Sequence, residues 1–188
     1  MKKLAVALLF CGVSAFAGSV SYYTTGAFTG TDLSGGNLVN GGATISYTGA
    51  GSVGTPINVS ANPVTGINIG QFTVAGGSGT FGGTDMFTLT IWQTVPAGGS
   101  GTSSTSISGV VTGNSNTVTV TFSPTTLFIG TDIYTVNASQ LLVAPNSNVA
   151  GVTTLQGTVT STPEPASLGM LGASLIGLGI AFRRRLTA

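Results

Sequence analysis

Apolar and polar residues alternate through the middle of this chain with a period of two. In Phe87-Thr88-Leu89-Thr90-Ile91-Trp92-Gln93-Thr94-Val95 the apolar residues fall on odd positions. In Thr117-Val118-Thr119-Val120-Thr121-Phe122 they fall on even ones. Alternation of this kind predicts half-buried strands with threonine on the wet face. Threonine is β-branched and suits an exposed strand position. Further strands are expected at 19–25, 43–47, 67–74, 105–111, 133–137, 141–143 and 152–160. Gly113-Asn114-Ser115-Asn116 reads as a hairpin turn between two of them. No stretch between residues 18 and 162 has a helical period. Short strands separated by glycine-rich turns predict an all-β fold, a single β-sandwich of jelly-roll type over residues 18–160.

The two ends are patterned differently. Residues 4–16 form a mostly apolar run behind Lys2 and Lys3. That length is short for a bilayer span and right for a signal peptide. Ala15-Phe16-Ala17 supplies the small-x-small cleavage signal, so residues 1–17 are expected to be removed. A lipoprotein signal at Cys11 is excluded, because Phe10 stands where a small residue is needed. Near the other end an apolar run of seventeen residues, 166–182, precedes Arg183, Arg184 and Arg185. As a helix it is about 25 Å long, close to the lower limit for crossing a membrane. Arginine stems can snorkel and close the shortfall. The three arginines also fix direction: they stay in the cytoplasm and residues 18–162 lie outside. Pro163 and Pro165 suit a first helical turn, where a missing N–H costs nothing, and Glu164 suits the positive end of the helix dipole. Gly169, Ala173 and Gly177 add a small-residue face fit for close helix contact.

Charge then narrows the chemistry. All five basic residues lie at the ends, so residues 18–162 hold three aspartates and no Lys, Arg or His, a formal charge of −3. Without a basic footprint the segment is not expected to bind nucleic acid. Removal of 1–17 takes the only cysteine with it. Ser-His-Asp and Cys-His sites cannot then be built, and zinc and transition metals lack their usual ligands. Phosphate and carboxylate substrates find no cationic clamp. A glycosidase needs two carboxylates only. Yet all three aspartates share one pattern, Phe-x-Gly-Thr-Asp-apolar: Phe28 to Leu33, Phe81 to Met86 and Phe128 to Ile133. A shared pattern favours one structural role over two opposed catalytic ones. The expectation is no enzyme and no cofactor. Asp32, Asp85 and Asp132 are expected to cap backbone N–H groups at loop-to-strand entries. A repeat of about 50 residues is a second reading. Calcium, where a carboxylate joins backbone carbonyls, is the one metal left open. Trp92, on the polar face of its strand, is a candidate sugar platform; the alternative is packing under a loop or at the sandwich rim. Tyr22, Tyr23, Tyr47 and Tyr134 are further aromatic candidates.

The tripeptide Pro163-Glu164-Pro165, a glycine-bearing apolar run and a terminal arginine cluster, in that order, resemble the PEP-CTERM sorting signal. Thr162 stands where such signals commonly carry valine. The resemblance covers Thr162 to Arg185, within a C-terminal sorting segment 161–188, and implies recognition by an exosortase, a multi-pass membrane enzyme, after export through the Sec machinery. It implies an inner-membrane-anchored precursor, processed near the tripeptide and passed to the cell surface or beyond. It also implies a setting of exopolysaccharide and biofilm. A structural or adhesive surface protein is the expected function, with a glycan- or calcium-binding extracellular module as the alternative.

Overall fold

A computed structural model of the chain describes residues 19–60, 63–82, 84–96, 98–112, 115–123, 125–143, 145, 150–161, 172, 174 and 175; for 103–112 and 115–116 it describes the backbone alone. The expected signal peptide 1–17, with Ala15 and Ala17, lies outside the described residues. So do Pro163, Glu164, Pro165, Arg183, Arg184 and Arg185, and all of the 166–182 run except Gly172, Ser174 and Leu175, which are helical. Among the described residues no helix is long and apolar enough to cross a membrane.

Residues 19–162 form one compact all-β unit. Its strands are β1 (Val20–Thr29), β2 (Leu33–Ser34), β3 (Asn37–Asn40), β4 (Ala43–Gly49), β5 (Ile57–Val59), β6 (Val64–Gly76), β7 (Gly79–Phe81), β8 (Met86–Val95), β9 (Gly99–Thr112), β10 (Ser115–Asn116), β11 (Thr119–Ser123), β12 (Thr126–Ile129), β13 (Asp132–Val136), β14 (Ser139–Leu141) and β15 (Gly151–Ser161). One sheet runs β14-β11-β9-β8-β1-β5, with β7 and β10 attached to the far end of β9. The other runs β12-β13-β15-β6-β4-β3-β2. Every pair is antiparallel.

The period-two pattern decides which face each strand buries. Phe87, Leu89 and Ile91 of β8 are fully buried, while Thr88, Thr90 and Trp92 face outward. Across the core, Ile69, Phe72 and Val74 of β6 and Leu155 and Val159 of β15 are buried in the same cluster. Rings join the two sheets directly. Phe87 lies 4.9 Å from Phe72 and 4.7 Å from Tyr47, and Tyr22 meets Tyr134 edge-on at 5.8 Å. The arrangement is sandwich-like, two sheets over one core. Each large apolar side chain so buried stabilises the fold by about 1.5–3 kcal/mol. With no disulfide available among residues 19–161, this core carries the stability.

The strand pattern is finer than the sequence predicts. The expected 141–143 strand is instead β14, and Leu142 leaves it to bury in the core, its N–H donating to Val118 O at 2.9 Å. β2, β3, β5, β7, β10 and β12 lie outside the expected strands: each has two to four residues, too short for a clear alternation. The edge strands β5, β14, β12 and β2 have three, three, four and two residues. Short edges offer little backbone for stray pairing, which substitutes for the protective lysines this segment lacks.

Candidate functional site

The three aspartate hexads share letters but not structure. Phe28 to Leu33 carries the chain from β1 in one sheet to β2 in the other. Phe81 to Met86 is a jog between β7 and β8, which pair along the same β9: Phe81 opposes Gly109 and Met86 opposes Ser106. Phe128 to Ile133 is a tight hairpin, with Ile129 opposite Asp132 and Gly130 at φ +60° in the two-residue turn.

The first two hexads meet. Asp85 is buried; its Oδ2 accepts the Gly82 N–H at 3.0 Å and its Oδ1 accepts the Asp32 N–H at 3.4 Å. Asp32 is half-buried and its Oδ1 accepts from the Asn40 side chain at 3.1 Å. Asp85 thus ties two loops together by capping backbone donors, and Asp32 holds β3. Asp132 behaves otherwise. It is fully buried, and neither carboxylate oxygen has a hydrogen-bond partner. Two residues along, Tyr134 donates to Gln93 Oε1 at 3.0 Å in the core. Burial pushes the Tyr134 phenol well above its usual range, and the nearby Asp132 carboxylate and Tyr22 add to the effect. Among the described residues no three acidic, histidine or cysteine side chains gather as a metal cluster.

The aromatic candidates divide sharply. Tyr22 and Tyr134 are core residues; Tyr47 is partly buried, held by hydrogen bonds to Ile69 O and Thr24. Burial raises the Tyr22 and Tyr47 phenols to about 12, with a hydrogen bond from Thr24 opposing the rise at Tyr47. Tyr23 and Trp92 are different. They are direct cross-strand partners on the outer face of β1 and β8. Their rings stack at 6.1 Å and 8°. Trp92 is 39% exposed and its Nε1–H donates to Thr25 Oγ1 at 3.1 Å. The indole therefore lies outside the core, partly open to solvent. Gln93 is the polar residue whose place was hardest to anticipate. It falls on the buried parity of β8 between apolar neighbours, and that break in the alternation was the available signal.

These features define an all-β domain with a hydroxyl-rich outer face. Comparison with known families adds the second element: residues 161–185 match the PEP-CTERM protein-sorting motif. The chain carries that motif, which indicates an exported protein sorted through an exosortase from a membrane-anchored precursor. The match starts at Ser161, the last residue of β15. No curated protein and no solved structure matches the chain.

Proposed function

We propose that this protein is a structural or adhesive component of an exopolysaccharide matrix, built as a single β-sandwich and delivered there by its sorting motif. In this reading residues 1–17 direct export and are removed. Residues 166–182 hold the precursor in the inner membrane, with Arg183, Arg184 and Arg185 on the cytoplasmic side. An exosortase then acts near Pro163-Glu164-Pro165. The exported domain works without a cofactor and without a catalytic step.

The observation that carries the reading is the coupling of the matched motif to a domain with no Lys, Arg, His or Cys. Two of its three aspartates are buried, so the outer surface is almost free of charge. Such a surface does not repel neutral polymer and has no field to attract ions or nucleic acid. The test is fractionation of a native strain into cells, matrix and medium. The protein should follow the matrix fraction and shift to the medium when exopolysaccharide synthesis is blocked. An unchanged distribution would contradict the matrix role.

A further inference from the structure

We propose that the outer face of β1 and β8 at Tyr23 and Trp92 is a binding site for a neutral polysaccharide. The proposal deepens the matrix reading and rests on it for the setting; its support is the geometry of this face.

Register places Tyr23 and Trp92 side by side on the outer sheet face, a paired aromatic patch rather than a singly scattered apolar residue. The two rings are near-parallel, 8° apart in plane and 6.1 Å between centres, and Trp92 stays partly open to solvent while Tyr23 is half-buried. The Nε1–H bond to Thr25 fixes the indole's orientation before any ligand arrives. A rigid aromatic gives contact area at small cost in conformational entropy. The surroundings are hydroxyl-bearing. Thr25 pairs with Thr90 and Thr90 with Thr102; Trp92 itself pairs with Ser100. On the Tyr23 side the chain at Gly51 approaches the Tyr23 Cβ closely and leads into the exposed Ser52–Thr55 turn, closed by reciprocal backbone bonds.

A pyranose ring offers an apolar C–H face and a rim of hydroxyls. The site offers the complement: aromatic centre, hydroxyl rim, no charge. Anionic polymers find no cation anywhere in residues 18–162. A protein partner is disfavoured by size, since two rings fall far short of the roughly 1,000 Å² a specific protein interface needs. One sugar-sized contact is weak, but a polymer repeats it, so retention on a chain exceeds affinity for a single unit.

Trp92 is the only tryptophan in the protein and reports on the site directly. The test uses the full chain in a sugar-free detergent. It is run through native gels containing an α-glucan, a β-glucan, a galactomannan or alginate, and soluble oligosaccharides are titrated against Trp92 fluorescence. Retardation in at least one neutral gel is expected, with a saturable fluorescence change. Trp92→Ala and Tyr23→Ala should each weaken retention about tenfold or more, Trp92→Phe less, and Thr121→Val on a distant part of the sheet not at all. The control variant and unchanged melting of Trp92→Phe separate loss of site from loss of fold. Retardation by alginate alone, no retardation in any neutral gel, or retention indifferent to Trp92→Ala would overturn the proposal. So would self-association that alters Trp92 fluorescence without any glycan. A failure of sorting would appear in the mass of the processed chain and would leave the gel result untouched.

Discussion

Asp85 and Asp132 occupy the same place in the same six-residue pattern, are both buried, and have opposite surroundings. Asp85 accepts backbone N–H groups from its own loop and from the loop of the first hexad. Asp132 begins a strand inside the sandwich and has no partner for either oxygen. The contrast shows that a local pattern fixes where a turn can occur, while the long-range pairing decides what the carboxylate meets. Backbone capping falls to Asp85, which holds both the 28–33 and 81–86 loops; Asp32 takes the Asn40 side chain instead of a backbone N–H, and the 128–133 hairpin lies outside the pair.

The largest effect is expected from alkali, and one of the groups involved, Tyr134, lies in the strand that leaves the hairpin. Tyr22, Tyr47 and Tyr134 all have phenols raised by burial. A group whose folded pKa lies above its unfolded value of about 10 binds its proton more tightly when folded. Its contribution is full below pH 10 and is lost as pH climbs toward about 12 for Tyr22 and Tyr47. The domain should unfold cooperatively in that window, with tyrosinate absorbance rising in step with loss of far-ultraviolet β signal. Asp132→Asn should let Tyr134 titrate at lower pH than in the parent; Asp85→Asn should not move it. A shared response to both variants would erase the contrast.

Next comes Gly30→Ala. Gly30 has φ +142°, and a Cβ there would run into Asp85 Oδ1 and lie 2.7 Å from the Asp85 Cα. Backbone strain and overpacking together should cost about 3 kcal/mol or more, a fall of roughly 10 °C in Tm for a domain of this size. Asp85→Asn should cost about 2 kcal/mol, because one buried backbone donor loses its acceptor. Gly130→Ala, the equivalent position in the hairpin, should cost only about 1 kcal/mol. Its φ of +60° is unfavourable for alanine, but the nearest atom, Gln93 Nε2, is 3.9 Å away. Asp132→Asn should have the smallest effect and the reverse sign, a gain of up to about 1 kcal/mol, since it replaces a buried carboxyl group that has no hydrogen-bond partner. Thermal melts of the five proteins rank the series, and a destabilising Asp132→Asn would show that the carboxylate is doing what Asp85 does.

Much of this was legible in the sequence, for physical reasons that differ along the chain. Strand faces follow from side-chain parity, so β8 and β11 are visible in their threonines alone. The chain reversal expected at 113–116 is shorter than its residue types suggest: Ser115 and Asn116 already form β10 and pair back with Thr112 and Val111. Sheet membership is not local. β6 joins β15, some eighty residues later, from Gly151 opposite Val74 to Val159 opposite Val64. Nothing in Val64 to Gly76 encodes that partner. For the same reason the meeting of Asp32 with Asp85 and of Tyr23 with Trp92 could not be read from spacing. The sorting motif was legible in full, because such a signal works as a short linear run of letters rather than through a fold.

The processing of that signal is the point on which everything else depends. Intact mass of the protein recovered from the surface and medium of an exosortase-positive strain tests it most directly. The account predicts one mature species that lacks residues 1–17 and everything beyond the neighbourhood of Pro163-Glu164-Pro165, and that disappears when those three residues are deleted. Recovery of a surface protein whose mass still includes Arg183, Arg184 and Arg185 would contradict it.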